Sequence, residues 1–228
     1  MSVVQSQSQP QPPANIPAHE ALERLRAGNR RFVAMTGGTS AGAPARRFEL
    51  PTQSQPFATI LGCSDARVPA ELVFDQGLGD LFVIRVAGNI VSPSQIGSVE
   101  FAASRFGTRL VVVLGHSQCG AVSATIEELQ RPAENQSPNL RSIVDRVRPA
   151  VEGLLSTELT RDPQALMRLA VRANISVSVS HLRYSSDVLE KLIYQHGLVV
   201  VGAQYSVETG VVEFFEGGAA ERNTRSAE

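Results

Sequence analysis

The chain has 228 residues, 21 of them basic and 22 acidic, for a formal net charge of −1. That balance, spread along the chain, excludes the basic track of a nucleic-acid binder and the polybasic patch of a membrane-surface protein. With 2 cysteines, apolar stretches far short of the roughly 20 residues of a membrane span, and length enough for a self-sufficient core, neither a disulfide scaffold nor a transmembrane protein is indicated.

Residues 1–17 are polar and rich in Gln, Ser and Pro, with no apolar leader segment. We expect a disordered or loosely docked arm on a soluble, cytoplasmic protein. From Pro17 onward Leu22, Leu25 and Phe32 recur at helical spacing among Glu20, Glu23, Arg24 and Arg30, which predicts an amphipathic helix over 18–36, ended by Gly37-Gly38. Residues 39–56 read as a loop. Apolar runs at 57–61, 81–86 and 110–114 predict three strands, with a helix over 94–105 before the third. Helices are expected over 139–155, 163–181 and 187–196, the last stopped by Gly197. A fourth strand follows at 198–201, and the alternating run 211–215, after Glu208-Thr209-Gly210, folds back antiparallel. The fold class is α/β: a mostly parallel four-stranded sheet with an antiparallel fifth edge strand and helices on both faces. One domain over 18–216 is expected, with a polar tail at 217–228.

Cys63 closes the first apolar run, and His116-Ser117-Gln118-Cys119 follows the third. On this layout Cys63 and His116 lie just past the carboxyl ends of two strands, where open α/β sheets place their ligand crevice. Two thiolates and an imidazole form a zinc ligand set, and three protein ligands leave a fourth position at which zinc can acidify water. Taken singly, each cysteine reads equally well as a small buried hydrophobe, and His116 as a satisfied histidine at a strand end. Their spacing, with Gly115 and Gly120 permitting a tight backbone, favours a metal. His19, His181 and His196 sit in helical patterns without paired ligands and read as ordinary surface or boundary residues. Asp65 and Arg67 alternate with Cys63, so an extended backbone sends all three side chains the same way. A carboxylate held by a guanidinium stays ionised and can only accept hydrogen bonds.

At these residues the chain resembles the β-class carbonic anhydrases. Their Cys-x-Asp-x-Arg motif matches Cys63, Asp65 and Arg67, and their His-x-x-Cys motif matches His116 and Cys119. The segment from Phe82 to Asn89 and the hairpin from Gly202 to Gly210 are similar too, over a match from about 18 to 216. The resemblance implies reversible hydration of carbon dioxide to bicarbonate and a proton, with Zn2+ as cofactor on Cys63, His116 and Cys119. Asp65 becomes the acceptor locked by Arg67, and in a closed form the fourth metal ligand. The substrate pocket falls to Gln55, Phe82, Ala87, Phe101 and Gly120. A homodimer or tetramer is implied, with the N-terminal helix reaching over the partner, and neither nucleic acid nor membrane is a partner. Two other readings stay open: hydrolysis of carbon disulfide or carbonyl sulfide on the same scaffold, and a non-enzymatic zinc or redox thiol module, which leaves Asp65 and Arg67 unexplained.

Overall fold

Five strands make one sheet in the order β2-β1-β3-β4-β5. In a computed structural model, which describes residues 15–35, 55–132 and 137–215, they are β1 (Ala58–Gly62), β2 (Leu81–Arg85), β3 (Leu110–His116), β4 (Val199–Tyr205) and β5 (Val212–Phe215). The first four run parallel and β5 pairs antiparallel with β4. The expected polar arm up to residue 14, the Gly37-Gly38 stop, the loop up to residue 54 and the tail at 217–228 lie outside the described residues.

The central strand shows why the sheet must be covered twice. Every residue of β3 is buried, and its side chains alternate: Val111 and Val113 enter one apolar cluster, Leu110, Val112 and Leu114 the other. The first cluster is closed by α3 (Pro93–Arg105), α4 (Gly120–Gln130), α5 (Pro138–Leu155), α6 (Pro163–Tyr184) and α7 (Asp187–His196), through residues such as Val99, Val122, Val147, Ile175 and Leu189. The second is closed by α1 (Ala18–Val33) and the single turn α2 (Ala70–Val73), through Leu25 and Val73.

Local chemistry sets the helix ends. Asp162 caps α6, its Oδ1 accepting from the Gln164 and Ala165 amides at 3.0 Å. Gly197 at φ 69° ends α7, as the sequence predicts. Helix α1 packs on its own chain's sheet: the Asn29 amide donates to the carbonyls of Val73 (3.0 Å) and Gly210 (2.9 Å), and its oxygen accepts from the Val212 amide.

The strands outrun their apolar runs. β3 continues through Gly115, which places His116 on the strand itself rather than beyond it. β4 continues to Tyr205 because its pairing with β3 persists through Gly202, Ala203 and Gln204, residues that interrupt the apolar pattern. Helix α6 reaches Tyr184 rather than 181, and α2, only one turn after Pro69, gives no periodic signal.

Candidate metal centre

β1 and β3 are neighbours in register, Gly62 opposite Leu114, so the residue after β1 and the last residue of β3 arrive side by side. Cys119, at the start of α4, completes the group. One ligand atom each from Cys63, His116 and Cys119 lie within 4.8 Å of one another, and all three residues are buried. His116 Nδ1 faces the Ser117 carbonyl at 2.8 Å. A carbonyl only accepts, so Nδ1 carries the proton and Nε2 keeps its lone pair. That Nε2 is buried and has no hydrogen-bond partner among the described residues. An orphaned imidazole nitrogen beside two thiols is a donor set that fits a metal such as zinc.

The two thiols share a charge unequally. Hydrogen bonding from Cys119 holds the Cys63 thiol well below the usual thiol range, against the opposing effect of burial. Cys119, donating to Cys63 and desolvated, is pushed above the usual thiol range; a metal would displace its proton. Burial pushes the His116 imidazole down, but the negative charge of the neighbouring Cys63 thiolate outweighs it and raises it.

Cys63 is supported from inside. The Gly88 amide donates to its sulfur at 3.4 Å from a tight 3-10 turn in which Gly88 (φ 70°) and Asn89 (φ 44°) are left-handed. Two side chains of α6 hold that turn: Asn174 Nδ2 donates to Gly88 O at 2.8 Å and Ser178 Oγ to Asn89 O at 2.9 Å. Arg85 donates to the carbonyls of Cys63 (3.0 Å) and Asp65 (2.6 Å).

Asp65 and Arg67 do meet, though not on an extended strand. The Arg67 amide donates to Asp65 Oδ1 at 2.9 Å, so the carboxylate folds its own backbone into a turn. Arg67 then grips both oxygens, Nε to Oδ1 at 2.9 Å and Nη2 to Oδ2 at 2.8 Å. These bonds hold the Asp65 carboxyl well below the usual carboxylate range. Asp65 Oδ2 lies 3.9 Å from His116 Nε2, at the edge of the ligand group and engaged by Arg67.

The pocket residues divide between the two ends of the sheet. Ala87, in the 3-10 turn, and Gly120, directly after Cys119, sit beside the ligands. Phe82 pairs with Thr59, four residues short of Cys63 and so roughly 13 Å along the strand. It packs with Phe101 at 6.1 Å and Phe106 at 5.9 Å between ring centroids. Gln55 is exposed before the start of β1. Within one chain these three do not reach the ligand group. The glycines also divide. A Cβ at Gly115 would lie 2.5 Å from Ile175, whereas nothing stands within 4 Å at Gly120, so close packing, not a special turn, requires only the first. His19, His181 and His196 are exposed.

Sequence reasoning missed Asn174, Ser178 and Glu208. The first two left a trace, being polar at helical spacing among the buried Val171, Ile175 and Val179 of α6. Glu208, an exposed acid in a turn, left none.

The family model described as carbonic anhydrase matches residues 58–212. The chain is 35% identical over 193 residues to the carbonic anhydrase of Mycolicibacterium smegmatis, covering 85% of this chain and 91% of that one. It is 35% identical over 192 residues to carbonic anhydrase 2 of Mycobacterium tuberculosis, covering 83% and 89%. Among solved structures, one of two tetrameric β-carbonic anhydrases of Sordaria macrospora shares the fold, with a TM-score of 0.67 over 88% of this chain and 98% of that one at 22% identity. Taken with the buried Cys63–His116–Cys119 group, the matches establish that this chain belongs to the β-carbonic anhydrase family.

Proposed function

We propose that the protein is a zinc-dependent carbonic anhydrase that interconverts carbon dioxide and bicarbonate plus a proton. The observation that carries this reading is the buried group in which one ligand atom each of Cys63, His116 and Cys119 lie within 4.8 Å of one another, with His116 Nε2 unpartnered and 3.9 Å from an Arg67-locked carboxylate. A zinc ion held by Cys63, His116 and Cys119 would lower the pKa of a bound water, to roughly 7 where three imidazoles bind the metal and higher here because two thiolates donate more charge, and so would supply a nucleophile for carbon dioxide.

The chain's own residues do the rest. Asp65 is ionised and acceptor-only, so it would accept a hydrogen bond from a hydroxide at that position and leave the hydroxide's lone pair facing the substrate. Arg67 fixes both carboxylate oxygens, which sets the direction of that lone pair. If Asp65 instead left Arg67, it could take the fourth metal position and close the site. Ala87 and Gly120 give small walls that admit a linear apolar molecule. Gln55, Phe82 and Phe101 stand at the far end of the same sheet, so we assign them to the pocket of a second copy in a homodimer or tetramer. A cytoplasmic location is part of this reading; among the described residues no helix is long and apolar enough to cross a membrane.

The test is a stopped-flow hydration assay on purified protein with zinc quantified per chain. One zinc and hydration well above the buffer rate are expected. Loaded protein that ignores carbon dioxide but consumes carbon disulfide or carbonyl sulfide would transfer the scaffold to those substrates, and protein that takes up no metal would leave a thiol module.

A further inference from the structure

The four residues from His116 to Cys119 carry two of the three ligands and make an awkward turn. Gln118, a residue with a full side chain, sits at φ 56°, a conformation that persists only where the surroundings impose it. Against this turn lies a carboxylate from the β4–β5 hairpin. Glu208 Oε2 accepts from Ser117 Oγ at 2.7 Å and from Ser206 Oγ at 3.0 Å, and Oε1 accepts from Gln118 Nε2 at 2.6 Å. The turn is tied to the hairpin twice more: the Val207 amide donates to Ser117 Oγ and the Ser117 amide to Tyr205 O, each at 2.9 Å. The hairpin in turn is pinned to α1 by Asn29.

On its other side the turn meets the catalytic pair. The Gln118 carbonyl accepts from Arg67 Nη2 at 3.3 Å, and the same nitrogen donates to Asp65 Oδ2 at 2.8 Å. A continuous path therefore runs from Glu208 through Gln118 to Arg67 and Asp65. We propose that Glu208 is a positioning residue for the Asp65–Arg67 pair and for the His116–Cys119 ligand turn, acting through Ser117 and Gln118. This inference rests on the carbonic anhydrase reading. The Ser117 hydroxyl, ahead of backbone and Ser206 hydrogen bonds, holds the Glu208 carboxyl at about 2, so the clamp stays closed across the neutral range. Because Glu208 is exposed, cutting it leaves no buried group behind.

Two variants separate geometry from charge. Glu208→Ala loses all three side-chain bonds. Glu208→Gln keeps an acceptor for Ser117 and, once the Gln118 amide turns over, a donor for Gln118, without the charge. We expect Glu208→Ala to lower kcat for carbon dioxide hydration roughly tenfold, to leave KM within about twofold, and to release zinc at a roughly tenfold lower chelator concentration. Glu208→Gln should return both readings to within about threefold of wild type. The proposal is overturned if Glu208→Ala keeps the wild-type kcat and chelator curve, or if Glu208→Gln is as impaired as Glu208→Ala. Should the wild type fail to hydrate carbon dioxide, the functional reading falls, and the chelator curves of the same variants still decide whether the clamp exists.

Discussion

Cys63 is braced from the protein interior, by the Gly88 amide and, behind it, by Asn174 and Ser178 of α6. His116 and Cys119 are braced from the rim, by Glu208 acting on the turn between them. Asn174 is 1% exposed and Ser178 3%, whereas Glu208 is exposed. The difference matters energetically. A brace removed from the interior orphans a buried carbonyl, which costs folding free energy as well as geometry. A brace removed from the rim exchanges its bonds for water and costs geometry alone. One centre thus has a side tied to the stability of the fold and a side that can be adjusted independently of it.

The comparison breaks most sharply at Gly115, where β3 and α6 touch. A Cβ there would lie 2.5 Å from Ile175, a fully buried side chain. Gly115→Ala should destabilise the protein by about 3 kcal/mol in urea unfolding, as overpacking does, and weaken zinc binding as α6 shifts. A stability unchanged from wild type would show that α6 does not press on the ligand strand. Next in size, Asn174→Ala leaves the Gly88 carbonyl without its side-chain partner and should cost about 2 kcal/mol, with Ser178→Ala at about 1 kcal/mol. Asn174→Ala and Glu208→Ala should both release zinc more easily, but only the first should unfold at lower urea. Equal midpoints for the two would erase the distinction between interior and rim.

The smallest effect is electrostatic. Arg67 holds the Asp65 carboxyl below its ordinary range in the folded protein, so the ionised pair stabilises the fold at pH values above the unfolded-state value of about 3.9. That contribution disappears as pH falls through the lower folded value. With Arg67 partly exposed, solvent screens the pair and the contribution is small. The stability gap between wild type and Asp65→Asn should therefore be flat from pH 7 to about 5 and close only in stronger acid. A gap that closes between pH 8 and 6 would mean that Asp65 is not held by Arg67 as described.

Much of this was legible in the chain. The apolar runs at 57–61 and 110–114 mark strands β1 and β3, and the ligands are visible because they sit where those runs stop. Asp65 and Arg67 were legible as partners by spacing, but the cause is a turn closed by the carboxylate rather than strand alternation. β4 was seen only in part, because Gly202 and Gln204 carry no apolar signal while their backbones keep pairing with β3. Asn174 could have been found as a polar residue on the buried face of an apolar helix. Glu208 could not, since an exposed acid in a hairpin turn looks the same whether or not a second loop leans on it. Resemblance places Phe82 and Phe101 in the pocket, and only the strand register reveals that Phe82, with Phe101 packed against it, stands roughly 13 Å along the strand from its own chain's ligands.

Whether Cys63, His116 and Cys119 together hold the proposed metal is decided by zinc content measured alongside carbon dioxide hydration in wild type and Cys119→Ala. One tightly held zinc per wild-type chain is expected, with loss of both tight zinc and hydration in the variant. A Cys119→Ala protein that keeps one tight zinc per chain and hydrates carbon dioxide at the wild-type rate would contradict that ligand assignment.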